Sequence, residues 1–361
     1  MEIRYSYQDL FSFTVNIFEK IGCSKDDATT VAEVLLAAEL RGIPSHGLMR
    51  ITDYINMWEK GRINVKPNIK TIYETPTTIT IDADHTFGMI AAKKAMQLVI
   101  EKAKNYYIAF GSVINSTHYG IAGYYSLMAI PFDMIGISGT NANPLVAPTW
   151  SVSRMLGTNP IAVAIPSKSY QPFVADFATT PIARGKLALL EKEGRTIKTG
   201  FVQDKYGNPS TNPAIIKQDG AIVPLGSDYE HGSHKGYCLS AIIDIFSSVL
   251  GGANFGPFVP PQVGYIPIQE KQVGKGLGHF FAAIRIDALR PKDDFLNSMD
   301  EWISTFKSAK PDIHHNEVII PGEPEYRNEI YNKQYGIPLK KELLTELHQL
   351  AKKYKIKFKI E

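Results

Sequence analysis

Residues 134–177, MIGISGTNANPLVAPTWSVSRMLGTNPIAVAIPSKSYQPFVADF, decide the layout of the chain. This stretch contains short apolar segments joined by connectors that hold Gly, Pro and Asn, a pattern typical of neighbouring β-strands. The predicted strands in it are 134–140, 161–166 and 173–177. Outside it, the strand patterns are 77–82, 108–115 and 279–287. We therefore expect a strand-rich region in the middle of the chain.

Helical patterns flank this region. Ser6 with Asp9 and Ser24 with Asp27 form possible capping boxes, each followed by apolar residues at helical spacing. They predict two helices within the first 45 residues. Further helices are predicted at about 45–60, 89–104, 121–130, 180–192, 235–250, 292–307 and 339–355.

These patterns predict a mixed α/β (α+β) layout. From it we expect a helical domain built from both chain ends, residues 1–75 and 310–361, and a second domain at 76–309. Residues 194–232 are rich in Gly, Asn, Pro and Asp, so we expect a loop-rich insertion in the second domain.

The composition excludes several classes of protein. A net charge of +3 over 361 residues is not the clustered basic footprint of nucleic-acid binding. No apolar stretch approaches the ~18 residues of a membrane span, and the N-terminus lacks a secretory signal pattern. Two cysteines form no disulfide framework, and Cys238, in an apolar stretch, is expected in the core. The sequence predicts a cytoplasmic protein without nucleic-acid or membrane partners.

Residues 41–50, RGIPSHGLMR, bring a titratable and a cationic side chain close together. If a helix begins at Ser45, His46 and Arg50 are four residues apart and share a face. A 2-oxo acid that accepts a hydride needs a proton donor at its carbonyl oxygen, and histidine titrates in the right range. It also needs a fixed cation for its carboxylate, which arginine binds through two parallel donors. The same residues also fit a surface turn with an N-cap serine.

Other candidate residues lie at the ends of predicted strands and helices. His118 follows a strand and is a second candidate proton donor. Thr158, in a tight loop, could bind a substrate carboxylate, and Asp176, at a strand end, could accept a ribose hydroxyl. His234 and Lys235 open the most apolar helix, where amide groups favour an anion such as pyrophosphate. Taken singly, each also fits a turn, a helix cap or a polar loop.

Several standard motifs are absent from the sequence. No G-x-x-x-x-G-K-[ST] is present, which excludes a P-loop. The glycine cluster 274–278 precedes a strand rather than a helix and does not meet the dinucleotide fingerprint. His231, His234 and Asp176 suggest a metal site, but no HExxH or Cys/His cluster supports one, so we expect no metal. A metal-dependent hydrolase and a non-catalytic binding protein remain alternative hypotheses.

In their order along the chain, these segments resemble the malate/L-lactate dehydrogenase family, which is distinct from the Rossmann-type enzymes. The resemblance covers nearly the whole chain. The matching segments are RGIPSHGLMR (41–50), INSTHYGIAGYY (114–125), TNANPLVAP (140–148), LGTNPIAVAIP (156–166), VADFATTPIARGK (174–186), VPLG (223–226), HKGYCLSAIIDIFSSVLGGANFG (234–256), GHFFAAIRID (278–287) and PGEPE (321–325).

The resemblance implies a family-specific, non-Rossmann NAD(P)-binding fold with a mixed, largely antiparallel sheet, and a homodimer. The second domain, 76–309, would then be the NAD(P)-binding and catalytic domain. The implied reaction moves a hydride between NAD(H) and a small 2-hydroxy or 2-oxo acid, with malate/oxaloacetate as the first choice. Ureidoglycolate, sulfolactate, lactate, diketogulonate and imino acids are alternatives within the family.

Carried over residue by residue, the resemblance implies His46 as proton donor, Arg50 as carboxylate clamp and Ser45 as an assisting residue. In some relatives the histidine that matches His118 has the acid/base role instead. The remaining matches are Thr158 for the substrate, and Val174, Asp176, Ala178, His234, Lys235, Gly322 and Glu323 for the cofactor.

Two positions depart from the family pattern. Some relatives have an aspartate of a proton relay near Lys186, and the lysine here argues against imino-acid reduction. Segment 321–325 has no arginine pair for a 2′-phosphate, and its Glu323 and Glu325 would repel one. The sequence therefore favours NAD over NADP.

Overall fold

The computed structural model describes residues 3–358. Its α-helices are α1 Tyr7–Lys20, α2 Lys25–Leu40, α3 Ile51–Glu59, α4 Gly88–Tyr106, α5 Ala122–Leu127, α6 Arg184–Lys192, α7 Ser233–Asp244, α8 Lys292–Lys307, α9 Glu323–Tyr335 and α10 Lys341–Tyr354. Its strands are β1 Arg4–Tyr5, β2 Lys70–Glu74, β3 Thr78–Asp82, β4 Ile108–Ser116, β5 Met134–Thr140, β6 Ile161–Ile165, β7 Phe173–Phe177, β8 Val202–Gln203, β9 Pro209–Ser210, β10 Ala221–Ile222, β11 Leu277–Arg285 and β12 Ile337–Pro338.

A seven-stranded sheet with the order β2-β3-β4-β11-β5-β6-β7 forms the centre of the molecule. Only β3 and β4 pair in parallel, and the other neighbours in this sheet are antiparallel. The prediction of a mixed, largely antiparallel sheet is confirmed. β2 was not expected, because its exposed residues at the sheet edge lack the apolar alternation of a half-buried strand.

Both chain ends contribute to one helical layer. The hydroxyls of Ser6 and Ser24 accept hydrogen bonds from the first turns of α1 and α2, as the capping pattern predicts. Helix α10 packs on α1, helix α9 packs on α2, and β1 pairs with β12. The same hydrophobic core continues through α4 into the sheet. Where one domain ends and the other begins therefore remains a prediction.

The insertion 194–232 contains a small three-stranded sheet, β10-β8-β9, and the 3-10 turn Pro213–Gln218. Its own small core lies against α6 and the connector after β5. This composition of short elements agrees with the loop-rich pattern of the sequence.

Four expectations are wrong in detail. The third helix begins at Ile51 rather than near Ser45, because two 3-10 turns separated by the non-helical Gly47 occupy residues 44–50. Helix α6 begins at Arg184, so Asp176 is not its N-cap. Helix α9 was not expected, because it is highly charged and lacks an apolar stripe. Cys238 is exposed on α7 rather than in the core. Within residues 3–358, no helix is both long and apolar enough to cross a membrane.

Candidate active site

A buried carboxylate holds the backbone of the segment between α2 and α3 in place. This segment forms two 3-10 turns, Pro44–His46 and Leu48–Arg50, separated by Gly47. The Leu48 N–H donates to Glu39 Oε1 over 2.7 Å, and a Cβ on Gly47 would overlap the same carboxylate. Burial raises the pKa of Glu39 to about 7, although the bond from Leu48 opposes this. Glu39 thus fixes the backbone that carries Ser45, His46 and Arg50.

His46 and Arg50 lie together although they do not share a helical turn. The Arg50 Nε donates to the Ser45 carbonyl over 2.7 Å, and its Nη1 donates to Asp53 over 3.2 Å. The Ser45 hydroxyl and His46 Nδ1 share a hydrogen bond of 2.9 Å. Burial, and then the charge of Arg50, lower the pKa of His46 to about 4. A neutral imidazole therefore stands beside a guanidinium whose Nη2 has no partner within residues 3–358.

His118 stacks on His46, with ring centroids 5.5 Å apart. The Gly120 N–H donates to His118 Nδ1 over 3.3 Å, and the Tyr54 hydroxyl lies 2.7 Å from the same nitrogen. Because a backbone amide can only donate, Nδ1 must accept, and the neutral ring carries its proton on Nε2. Burial, followed by the charges of His46 and Arg50, holds the pKa of His118 well below its usual range. The neutral His118 ring can therefore donate a hydrogen bond through Nε2–H.

Together these groups fit a small acid with a carbonyl next to its carboxylate. Arg50 offers a charged donor for the carboxylate, His118 offers an N–H for the carbonyl oxygen, and His46 can exchange a proton. Sequence reasoning missed Tyr54 and Glu39. Tyr54 is 64 residues from His118 along the chain, and Glu39 lies in the last turn of a helix whose other buried residues are apolar.

The residues assigned to the cofactor form two groups. In the first, the Val174 N–H donates to the Pro321 carbonyl over 3.0 Å, which brings Gly322 against β7. Asp176 Oδ2 accepts the Gly123 N–H over 2.8 Å. Since Gly123 and His118 belong to the same short segment, this group adjoins the histidine pair. Burial raises the pKa of Asp176 to about 6, and Glu325 adds to the effect.

Glu323 is already engaged within the protein. Its Oε1 pairs with Lys307 over 2.6 Å, and its Oε2 accepts the Ile320 N–H over 2.9 Å. Its charge is therefore largely neutralised, and a ligand would meet the backbone of this segment. Glu325 forms no ion pair within residues 3–358 and contributes the negative charge here.

The second group lies where the connector after β7 meets α7. The Thr179 N–H and hydroxyl both donate to the Thr158 carbonyl, so Thr158 lies beside Thr179 and the neighbouring Ala178. Leu225 links this connector to the start of α7 by donating to the Thr179 carbonyl. There, Lys235 is exposed, and His234 Nδ1 is buried without a hydrogen-bond partner in the described part of the chain. A polar ligand at this helix start would satisfy both side chains.

The histidines and acids proposed for a metal site lie apart. His231 pairs with Asp228 at the surface, and Asp176 binds Gly123. Within residues 3–358, no three His, Cys, Asp or Glu side chains group so that they could hold a metal ion. The metal-dependent hydrolase therefore has no structural support.

Comparison with known proteins places this chain in one family. The model of the malate/L-lactate dehydrogenase family matches residues 5–348, and the chain belongs to that family. It is 39% identical to a malate dehydrogenase of Pyrococcus abyssi over 98% of this chain and 96% of that protein. It is 37% identical to an L-sulfolactate dehydrogenase of Methanocaldococcus jannaschii over 93% of each.

A solved structure agrees with this assignment. The crystal structure of malate dehydrogenase from Entamoeba histolytica superposes with a TM-score of 0.93 at 34% identity, and the match covers 100% of both chains. The family and the fold predicted from the sequence are confirmed, and the chain is an oxidoreductase of the 2-hydroxy acid dehydrogenase class. The roles of individual residues remain predictions.

Proposed function

We propose that this protein interconverts malate and oxaloacetate with NAD(H). The observation that carries the proposal is the stacked pair His46 and His118 beside Arg50, whose Nη2 has no partner among residues 3–358. This arrangement suits a 2-oxo acid because one cation and two imidazoles meet the carboxylate and the carbonyl oxygen together. The names of the relatives from Pyrococcus and Entamoeba support malate as the first substrate to test.

His46 is the proposed proton donor in reduction and the proton acceptor in oxidation. Its Nδ1 partner is the Ser45 hydroxyl, which can accept from a protonated ring or donate to a neutral one. His118 cannot do the same at Nδ1, since protonation there would oppose the Gly120 N–H. We therefore assign His118 the polarisation of the carbonyl oxygen through Nε2–H.

The residues present fit a nicotinamide dinucleotide. Lys235 and the partnerless His234 Nδ1 at the start of α7 suit its phosphates, and Asp176 suits a ribose hydroxyl. When bound, this cofactor supplies the hydride. Asp176 and Glu325 both disfavour a 2′-phosphate, which supports NAD over NADP. Thr158, which lies beside Ala178, would contribute to the same cofactor site.

The test measures the loss of NADH or NADPH absorbance when the protein is given oxaloacetate, pyruvate or sulfopyruvate. We expect oxaloacetate and NADH to give the highest kcat/KM. The variants His46→Asn and His118→Asn should each lose at least about 100-fold in kcat. Turnover of no 2-oxo acid, or a preference for NADPH, would contradict the respective part of the proposal.

We also propose a homodimer formed through α7 and the π-helical turn Ile245–Val249 that follows it. One face of this segment exposes large apolar side chains that a monomer would leave in water. They are Ile242 (50% exposed), Ile245 (48%), Phe246 (41%), Val249 (58%) and Leu250 (60%). The exposed Cys238 lies one turn before them on the same helix.

Sedimentation velocity tests the dimer. Wild type should sediment at twice the chain mass of 40.1 kDa, and Val249→Glu should sediment as a monomer. Leu289→Glu is the matched control, because Leu289 is 89% exposed and lies outside this face. A monomeric wild type would refute the assembly.

Two unpaired cysteines support placement in the cytoplasm, where thiols stay reduced. Fractionation of the source cells should therefore recover the protein with cytoplasmic markers, and recovery outside the cell would contradict this placement.

A further inference from the structure

A substrate such as oxaloacetate carries a second carboxylate, and Arg50 can hold only one. A second negative charge on the substrate favours a cationic side chain near the distal end of the bound molecule. The sequence does not identify that cation. Arg184 is a basic residue whose neighbour Gly185 lies against Ser45.

Arg184 is the first residue of α6, and the residues next to it and next to its partner Tyr265 lie against the segments on either side of Arg50. A Cβ built on the adjacent Gly185 would lie 3.8 Å from Ser45 Cβ, so the start of α6 touches the segment that carries His46. Arg184 Nη2 donates to the Tyr265 hydroxyl over 3.1 Å. Gly264, next to Tyr265, packs against the backbone of α3, the helix that follows Arg50.

The charge of Arg184 is not balanced within the protein. Its only hydrogen-bond partner in residues 3–358 is the neutral Tyr265 hydroxyl, and it forms no ion pair there. Burial lowers the pKa of Arg154, the charge of Asp219 opposes this, and the charge of Arg184 adds to the lowering, so the two guanidinium groups lie within electrostatic reach of each other. An arginine without an acidic partner within residues 3–358 favours an anion, and its Nε and Nη1 have no partner there and can donate to one.

We propose that Arg184 binds the distal acidic group of the substrate and thereby selects dianionic 2-oxo acids over monoanionic ones. This inference rests on the proposed function and names the substrate class of the same site. The distal group is a carboxylate in oxaloacetate and a sulfonate in sulfopyruvate, and a guanidinium suits both. Pyruvate lacks such a group and makes no use of Arg184.

The test compares kcat/KM of wild type, Arg184→Gln and Arg184→Lys for oxaloacetate, sulfopyruvate and pyruvate with NADH. Arg184→Gln should lower kcat/KM for one or both dianions by about 100-fold while changing that for pyruvate by less than about threefold. Arg184→Lys should fall between, because lysine keeps the charge and loses the planar fork. The dianion that shows the larger loss of kcat/KM is the one whose distal group Arg184 binds.

Lys192→Gln is the matched control, since it removes one positive charge at the far end of α6. Equal losses for pyruvate and the dianions in Arg184→Gln, or an equal effect of Lys192→Gln, would overturn the inference. If wild type reduces oxaloacetate but Arg184→Gln keeps its preference, only the role of Arg184 fails. If wild type reduces none of the three acids, the proposed function fails as well.

Discussion

The buried carboxyl of Glu39 leads to a prediction about how the stability of the protein depends on pH. The pKa of this carboxyl is raised from 4.5 to about 7 in the folded protein. Between these two values, the folded state binds more protons than the unfolded state, so stability falls as pH rises through this window. Each unit of pKa shift corresponds to about 1.4 kcal/mol. The free energy of unfolding therefore falls by about 3 kcal/mol in total, most of it between pH 5 and 8.

Glu39→Gln removes the ionisation and keeps an oxygen that can accept the Leu48 N–H. We expect its free energy of unfolding, relative to wild type, to increase by about 2 to 3 kcal/mol from pH 5 to pH 8. Urea denaturation at both values measures this difference. Taking the difference between the two proteins cancels the other titrating groups, among them Asp176, whose pKa burial also raises.

Glu19→Gln, at an exposed position of α1, serves as the control and should follow wild type at both pH values. If the curves for wild type and Glu39→Gln run parallel from pH 5 to 8, burial does not raise the pKa of Glu39, and the reasoning is refuted. Glu39→Ala should also lower kcat, because the Leu48 N–H then lacks its acceptor and the segment that carries His46 loses its support.

Three further predictions concern the site directly. Tyr54→Phe should lower kcat/KM by about three- to tenfold, the value of one hydrogen bond to His118, and unchanged kinetics would contradict that role. For malate oxidation, kcat/KM should stay level as pH falls from 8 to below 6, since His46, with a pKa of about 4, remains a neutral base; a decline centred near 6.5 would contradict it. Gly123→Ala should raise the KM for NADH by about tenfold, because its Cβ would approach Asp176 Oδ2 to 2.7 Å; an unchanged KM would separate Asp176 from the cofactor.

Sequence periodicity located most of the core. The capped helix α1 buries one face and the first residues of β5 alternate between buried and half-buried, so their patterns are visible in the sequence. Helix α9 gave no such signal, because its charged surface is held by contacts with α2 that lie far away in the chain. Its position decides where Gly322 meets β7, so that junction required the structure.

In the active site too, some residues could be predicted from the sequence and others could not. His46 and Arg50 were found because their residue types and short separation suggest acid handling, although the helix expected to carry them does not form there. The Tyr54 hydroxyl reaches His118 Nδ1 from a segment that is distant in the chain, and no local pattern reveals this contact. Arg184 gave no signal of its own, since an arginine at a helix start is ordinary until its lack of an acidic partner is seen.

Transfer of deuterium from NADH tests the central claim most directly. NADH deuterated at C4 of the nicotinamide, prepared as both stereoisomers, is incubated with oxaloacetate, and the product is analysed by mass spectrometry and NMR. We predict malate with deuterium at C2 from one stereoisomer only, and its loss in His46→Asn. Malate without deuterium from either stereoisomer, or no malate at all, would contradict direct hydride transfer at this site.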